Sequence, residues 1–234
     1  LSSAAGLYEK VPVTGKPASM NTTPDWLKRP VFKRYWPILI SSTVILSACQ
    51  PQLPQTVRSG LVYCSEGSPE SFNPQLVTSG TTIDAISQQL YDRLLDIDAS
   101  SGELKPALAS SWQVSDDGKV YHFSLQSQVA FHKTEYFQPS RSLTAEDVVF
   151  TFNRIMQPQH PFHFQGGGNY PFFQSVDWAS LVSRVSAEGP LLVRFELNRP
   201  DSSFLSNLAT DFAAILSAEY GQQLQQSGQL HLMD

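Results

Sequence analysis

The 234 residues are 41% apolar and 11% aromatic, enough to bury a core in one or two domains and unlike the composition of a disordered chain. The net charge of −5 is unevenly spread: residues 1–48 carry six Lys/Arg against two acids, and residues 49–234 carry ten against nineteen. A basic head on an acidic body that lacks any basic stripe argues against a nucleic-acid binder, and two cysteines, Cys49 and Cys64, are too few for a disulfide framework.

In chain order, residues 1–19 show no periodicity and are expected to be an upstream non-native or disordered segment, with Met20 as the natural initiator. Residues 20–48 read as an export signal. Lys28, Arg29, Lys33 and Arg34 supply the positive region, and the apolar stretch from Trp36 to Leu46 is about a dozen residues, shorter than a spanning helix needs. It ends in Leu46-Ser47-Ala48-Cys49, which resembles the lipobox of bacterial lipoproteins. That resemblance implies lipid attachment at Cys49, where several acyl chains hold far better than one. An ordinary signal peptide with a chance cysteine is the plainer reading of the same residues. Residues 49–60, with Pro51, Pro54 and their glutamines, read as a polar tether.

Residues 61–64 form an expected short strand, followed by a loop punctuated by Gly67, Pro69 and Pro74. Thr78, Ser79, Gly80, Thr81 and Thr82 lead into Ile83, Ile86, Leu90 and Leu94, whose spacing predicts an amphipathic helix capped by the hydroxyl cluster. Residues 112–114 and 119–125 predict a hairpin around Asp117-Gly118, because that pair tolerates the positive φ of a tight turn. Thr144 with Asp147 three positions on predicts a capping-box start for a helix whose core face is Val148, Val149, Phe152, Ile155 and Met156. A long Gly/Pro/aromatic loop is expected over residues 160–173. A second hairpin follows, from 181–187 and 191–197, then helices over 201–208 and 217–224. Residues 212–216 fit either a continued helix or a short buried strand. The mixture predicts an α/β or α+β fold without internal repeats.

Several blocks resemble the dipeptide-type members of the family 5 extracellular solute-binding proteins. They are residues 61–70, Phe72-Asn73-Pro74-Gln75-Leu76, residues 78–82 and Ala109-Ser110-Ser111-Trp112 through Lys119. Residues 131–137, 143–155 and Asn169-Tyr170-Pro171-Phe172-Phe173 are most similar to the Sap-type peptide-uptake branch, linked to handling of antimicrobial peptides. The resemblance implies an α/β fold of the periplasmic binding protein-like class II, incomplete here: part of lobe one plus its small extra domain, with the second lobe missing. The implied boundaries are 61–82 for the start of lobe one, 83–198 for the extra domain and 199–234 for the return. Phe131-His132-Lys133-Thr134 departs from the Phe-His-Asp-Gly common in the family, which favours the dipeptide and Sap branches over the oligopeptide branch.

The resemblance also implies a peptide ligand, an ABC permease with its ATPase subunits as partners, and a periplasmic location. Gln50 after the cysteine favours the inner face of the outer membrane. The candidate ligand cleft is Thr78, Ser79, Gly80, Thr81 and Thr82, where helix-start N–H groups and hydroxyls would receive a carboxylate or amide; the same residues could simply cap their helix. Cys64 is implied to pair with a cysteine outside this sequence. No catalysis and no cofactor are expected, since neither Gly-x-Ser-x-Gly nor His-Glu-x-x-His occurs. The rival readings are a haem or nickel receptor of the same fold, for which His160 and His163 near Met156 are the candidate ligands, and a structural lipoprotein.

Overall fold

The computed structural model describes residues 64–234. Alternation builds its sheet. Strand β4 (Val120–Leu125) buries Tyr121, Phe123 and Leu125 and turns His122 and Ser124 outward, as its period of two requires. It pairs with β3 (Ala109–Val114) through a turn in which the Gly118 N–H donates to the Ser115 carbonyl at 2.9 Å. Gly118 sits there at φ +68°, the left-handed conformation that glycine adopts without a steric cost. The second hairpin, β5 (Val182–Gly189) and β6 (Leu192–Leu197), pairs through β6 with β4. The result is a four-stranded antiparallel sheet of order β3-β4-β6-β5.

Two short strands precede it, β1 (Leu95–Ile97) and β2 (Leu104–Pro106), a hairpin that the sequence pattern did not predict. Each is three residues long, too short for an alternation to register. Its turn is organised by Asp98, which accepts hydrogen bonds from the N–H groups of Ser100 and Ser101.

The first helix, α1, starts at Gly80–Thr82, continues through a π-helical turn at Ile83–Ser87 and closes with Gln88–Leu90. It ends earlier than the apolar spacing predicts. Leu90 is exposed, and Leu94 reaches the core from beyond the helix, just before β1, because the chain turns at Tyr91 to enter the hairpin. Of the expected strand over 61–64, Cys64 carries no strand structure and the rest lies outside the described residues.

Helix α2 (Ala145–Met156) matches its predicted start, with the Asp147 carboxylate accepting the Thr144 N–H at 2.8 Å. Its Val148, Phe152 and Ile155 face is buried in the core cluster, and the helix packs mainly against β5. Phe152 meets Phe195 edge-on at 5.1 Å and stacks on Trp178 at 5.4 Å, and Trp178 stacks in turn on Phe204 at 5.6 Å. Such aromatic contacts add to the burial of large apolar area. The loop predicted over 160–173 carries only turns as far as Tyr170; its last residues open a short helix, α3 (Pro171–Ser175), and a second, α4 (Trp178–Leu181), follows after Asp177 at φ +51°.

Helices α5 (Phe204–Leu208) and α6 (Ala218–Ser227) occupy the two remaining helical predictions, α5 starting three residues later and α6 running three residues longer than expected. Residues 212–216 are neither of the expected alternatives. A 3₁₀ turn at Asp211–Ala213 leads into a buried extended stretch held by single hydrogen bonds, among them Ile215 N–H to the Asp92 carbonyl at 2.9 Å.

Asp147 is fully buried and ties three parts of the chain. Arg141 donates two bonds to it (2.6 and 2.9 Å), and the N–H groups of Thr144 and Ala218 each donate one at 2.8 Å. Removing the carboxylate leaves two N–H donors unpaired and takes the partner from the one-third-exposed Arg141 guanidinium. Asp147→Ala is therefore expected to cost about 3–5 kcal/mol in urea denaturation of the purified chain. A loss under about 1 kcal/mol would show that water takes over these bonds without penalty.

Candidate functional site

At the start of α1 the hydroxyl cluster divides into two groups. Ser79 Oγ accepts the Thr82 N–H (3.3 Å) and donates to Thr82 Oγ1 (3.1 Å), while the buried Thr82 Oγ1 also accepts the Glu70 N–H at 3.0 Å. Ser79 and Thr82 thus cap the helix and hold the preceding loop against it. Thr78 and Gly80 are exposed and Thr81 is half-buried. Ile83 donates its N–H to the Ser79 carbonyl, so the N–H groups of Gly80 and Thr81 are the donors left without a partner among the described residues. They sit at the positive end of the helix dipole, where an acceptor is favoured.

The segment before α1 is fastened by two buried side chains. Asn73 caps the turn Pro74–Leu76 through its side-chain Oδ1, which accepts the Gln75 N–H at 3.0 Å, and Gln75 Nε2 donates to the Ala214 carbonyl at 2.9 Å. At the far end of α1 lies an apolar cavity of about 220 Å³. Leu90 and Tyr91 close one side of it, the loop bearing Phe131 and Phe137 another, and Ile215 with Tyr220 a third.

A second polar centre, which the sequence reading missed, is built around Arg154. It lies on α2 and is fully buried. Its Nε donates to the Phe162 carbonyl (3.3 Å) and Tyr170 Oη (3.2 Å), and its Nη2 to the Asp234 carboxylate, which also accepts from Asn73 Nδ2 at 2.6 Å. The Tyr170 hydroxyl in turn donates a hydrogen bond to the His163 carbonyl at 2.9 Å. A signal for this centre was present: Asp147, Thr151 and Arg154 recur at i, i+4 and i+7, a polar stripe beside the apolar face of α2.

The two candidate metal-ligating histidines are engaged locally. His163 is buried and its Nδ1 lies 2.7 Å from the Arg154 carbonyl, while His160 Nδ1 accepts the Phe162 N–H at 3.3 Å. Among the described residues no group of three His, Cys, Asp or Glu side chains gathers to hold an ion. Burial, with Arg154 and His163 nearby, lowers the pKa of His160 from 6.5 to about 4. Cys64 is an exposed free thiol, and Cys49 lies outside the described residues with the export signal and the tether. Among the described residues no helix is long and apolar enough to cross a membrane.

Residues 103–229, which hold the four-stranded sheet and helices α2 to α6, match the family described as bacterial extracellular solute-binding proteins, family 5 Middle. The chain is 47% identical over 174 residues to the dipeptide-binding protein of Escherichia coli K12, covering 74% of this chain and 32% of that one. It is 46% identical over 176 residues to the peptide transport periplasmic protein SapA of Salmonella typhimurium, covering 75% and 32%. The fold superposes with a TM-score of 0.73 and 49% identity on the crystal structure of a dipeptide-binding protein from Pseudoalteromonas in complex with Met-Leu, covering 75% of this chain and 35% of that one. The chain spans about a third of the length of the curated relatives it matches.

The position of His160 has a pH consequence. Its folded-state pKa is depressed below the unfolded value, so between about pH 4 and 6.5 the unfolded chain binds the proton that the folded chain rejects. This contribution to stability is whole above pH 6.5 and declines as the pH falls toward 4. Replacing His160 with Gln is expected to flatten the stability curve within that window, read as the difference in urea midpoint between variant and wild type. Parallel curves would show that the ring is hydrated in solution.

Proposed function

This chain belongs to the family 5 bacterial extracellular solute-binding proteins, and on that premise we propose that it is part of a periplasmic receptor that captures peptides and delivers them to an ABC import permease. The observation that carries this reading is the fold shared, at 49% identity, with the protein solved around Met-Leu. No catalytic step belongs to it. The work is binding: a peptide enters between two lobes, and closure follows because the ligand binds the closed form more tightly than the open one.

Within that receptor, residues 61–82 open lobe one, residues 83–198 are the small extra domain, and residues 199–234 begin the return to lobe one. The N–H groups of Gly80 and Thr81, with the hydroxyls of Thr78 and Thr81, face the cleft and receive an acceptor of the ligand, while Ser79 and Thr82 hold the helix start in place. The N–H pair left without a partner among the described residues and the exposure of Thr78 support this division of labour. Cys64 pairs with a cysteine beyond this sequence, in keeping with its exposed free thiol. Cys49 carries the lipid, and the Gln/Pro-rich segment 49–60 is the tether. The similarity to SapA favours handling of antimicrobial peptides among the cargoes.

Two measurements test this. Deleting the coding sequence in its host is expected to abolish most uptake of a radiolabelled dipeptide such as Met-Leu, with recovery on complementation; unchanged uptake would refute the transport role. For the anchor, labelled palmitate should enter the wild-type protein and not Cys49→Ala, which should also leave the membrane fraction. Fractionation of the labelled protein distinguishes the outer membrane, indicated by Gln50, from the inner membrane, where a short tether reaches a permease directly.

A further inference from the structure

The residues of α1 and its shape disagree. Ile83, Ile86 and Leu90 stand at i, i+3 and i+7, the spacing of one helical face. In a regular α-helix, at about 100° per residue, Leu90 falls within about 20° of Ile83 and points inward with Ile86. The five residues Ile83–Ser87 instead form a π turn between two α-helical ends. A π turn holds one residue more than an α turn, so it sets everything after it back by about 100°. Burial is inverted as a result. Leu90 is 46% exposed, while Ser87 is 1% exposed and its Oγ has no hydrogen-bond partner among the described residues. Ser87 is already enclosed by its neighbours, so its hydroxyl is an orphan of this conformation and not a group awaiting another part of the protein. We propose that α1 is a two-position switch: the π-turned form seen here, and a regular α-helical form in which Leu90 replaces Ser87 at the interior face.

Two hydrogen bonds hold the wide turn. At its start the Glu70 N–H donates to Thr82 Oγ1 at 3.0 Å, and beyond its end Tyr91 Oη donates to the Phe72 carbonyl at 2.8 Å. Both ends are thus tied to residues 70–72, and the π turn absorbs one residue of the chain between them. The two ties are unequal. Thr82 is buried, whereas the Tyr91–Phe72 bond is exposed to water, where a hydrogen bond is exchanged at little net cost.

When the exposed tie opens, nothing holds Tyr91 back and the turn closes to α. Leu90 then swings onto the face of Ile83 and Ile86, removing apolar surface from water, and Ser87 moves to the edge of that face, where its hydroxyl meets solvent. The tie to Phe72 favours one form and the burial of Leu90 the other, which keeps both within reach. The cap at Ser79 and Thr82 lies ahead of the π turn and serves both forms. The switch therefore leaves the start of α1 in place and moves Gln88–Leu90 with the chain that enters β1.

Hydroxyl-radical footprinting of the complete mature protein from its host, read residue by residue by mass spectrometry, tests this with Leu90 itself as the reporter. Leu90 is expected to react freely in wild type and at least threefold more slowly in Tyr91→Phe, which lacks only the tie to Phe72. Adding Ser87→Ala to that variant is expected to return Leu90 toward its wild-type reactivity, because alanine occupies the enclosed place without an unpaired hydroxyl. Protection of Leu90 already in wild type overturns the proposal, since another part of the protein then covers it. Unchanged reaction in Tyr91→Phe overturns it, and so does faster reaction, the sign of local unfolding. Slowing that Ser87→Ala leaves untouched overturns it as well, because the tie then acts on the surroundings of Leu90 and not on the turn. None of these outcomes bears on the peptide-receptor reading, which uptake of Met-Leu decides.

Discussion

One buried carboxylate sets the geometry on which most of the described fold depends. Asp147 has no exposure to water, so its charge is tolerable only with its oxygens occupied, and it takes bonds from three separate places: Arg141 ahead of α2, Thr144 at its cap and Ala218 at the start of α6. That requirement fixes where α2 begins. The Ala145 N–H then bonds the Pro190 carbonyl in the β5–β6 turn at 2.8 Å, which sets the helix at one end of the sheet. Once that end is fixed, Phe152 has little choice but to lie among Phe195, Trp178 and Phe173, because the helical repeat points it there.

The polar stripe of α2 extends this logic along the helix. Thr151 donates to the Asp147 carbonyl at 2.7 Å and accepts the Leu216 N–H at 2.9 Å, and Arg154 gathers the 160–170 loop and Asp234. One face of α2 is thus held to the sheet by apolar contact, and the neighbouring stripe holds the remaining chain by hydrogen bonds. The division is economical in a physical sense, since backbone groups of buried loops need partners and a stripe of fixed side chains supplies them.

What was legible in the sequence was local. The capping box of Thr144 and Asp147, the Asp117-Gly118 turn and the alternation of Tyr121, Phe123 and Leu125 each involve residues close in sequence whose geometry is set by adjacent backbone. The reading failed where tertiary contacts overrode a local pattern. Leu94 has helical spacing but is pulled from α1 by the β1–β2 hairpin, whose three-residue strands offer no period to detect. The end of the aromatic stretch read as loop opens a short helix instead, with Pro171 in the first turn of α3, a position suited to its fixed φ. In the candidate site, the hydroxyl cluster was visible, but its division into capping and free members was not, because Thr82 is committed by Glu70, twelve residues away. The cavity was invisible for a stronger reason: its walls come from separate segments spread over more than a hundred residues.

Those walls are brought together by the stretch that matched neither helix nor strand. Ala214 accepts from Gln75, Ile215 donates to Asp92, Leu216 donates to Thr151 and Ala218 to Asp147. Four nearly consecutive residues therefore bond to the segment before α1, the segment after it, and two turns of α2. A regular strand would have spent these groups on one neighbour, and a helix would have spent them on itself. Only an irregular extended run can reach three partners in so few residues, and by doing so it fixes the separation between α1 and α2 on which the shape of the cavity depends. The ambiguity of residues 212–216 in the sequence thus has a physical origin: their apolar side chains answer to burial, while their backbone answers to partners that no local pattern encodes.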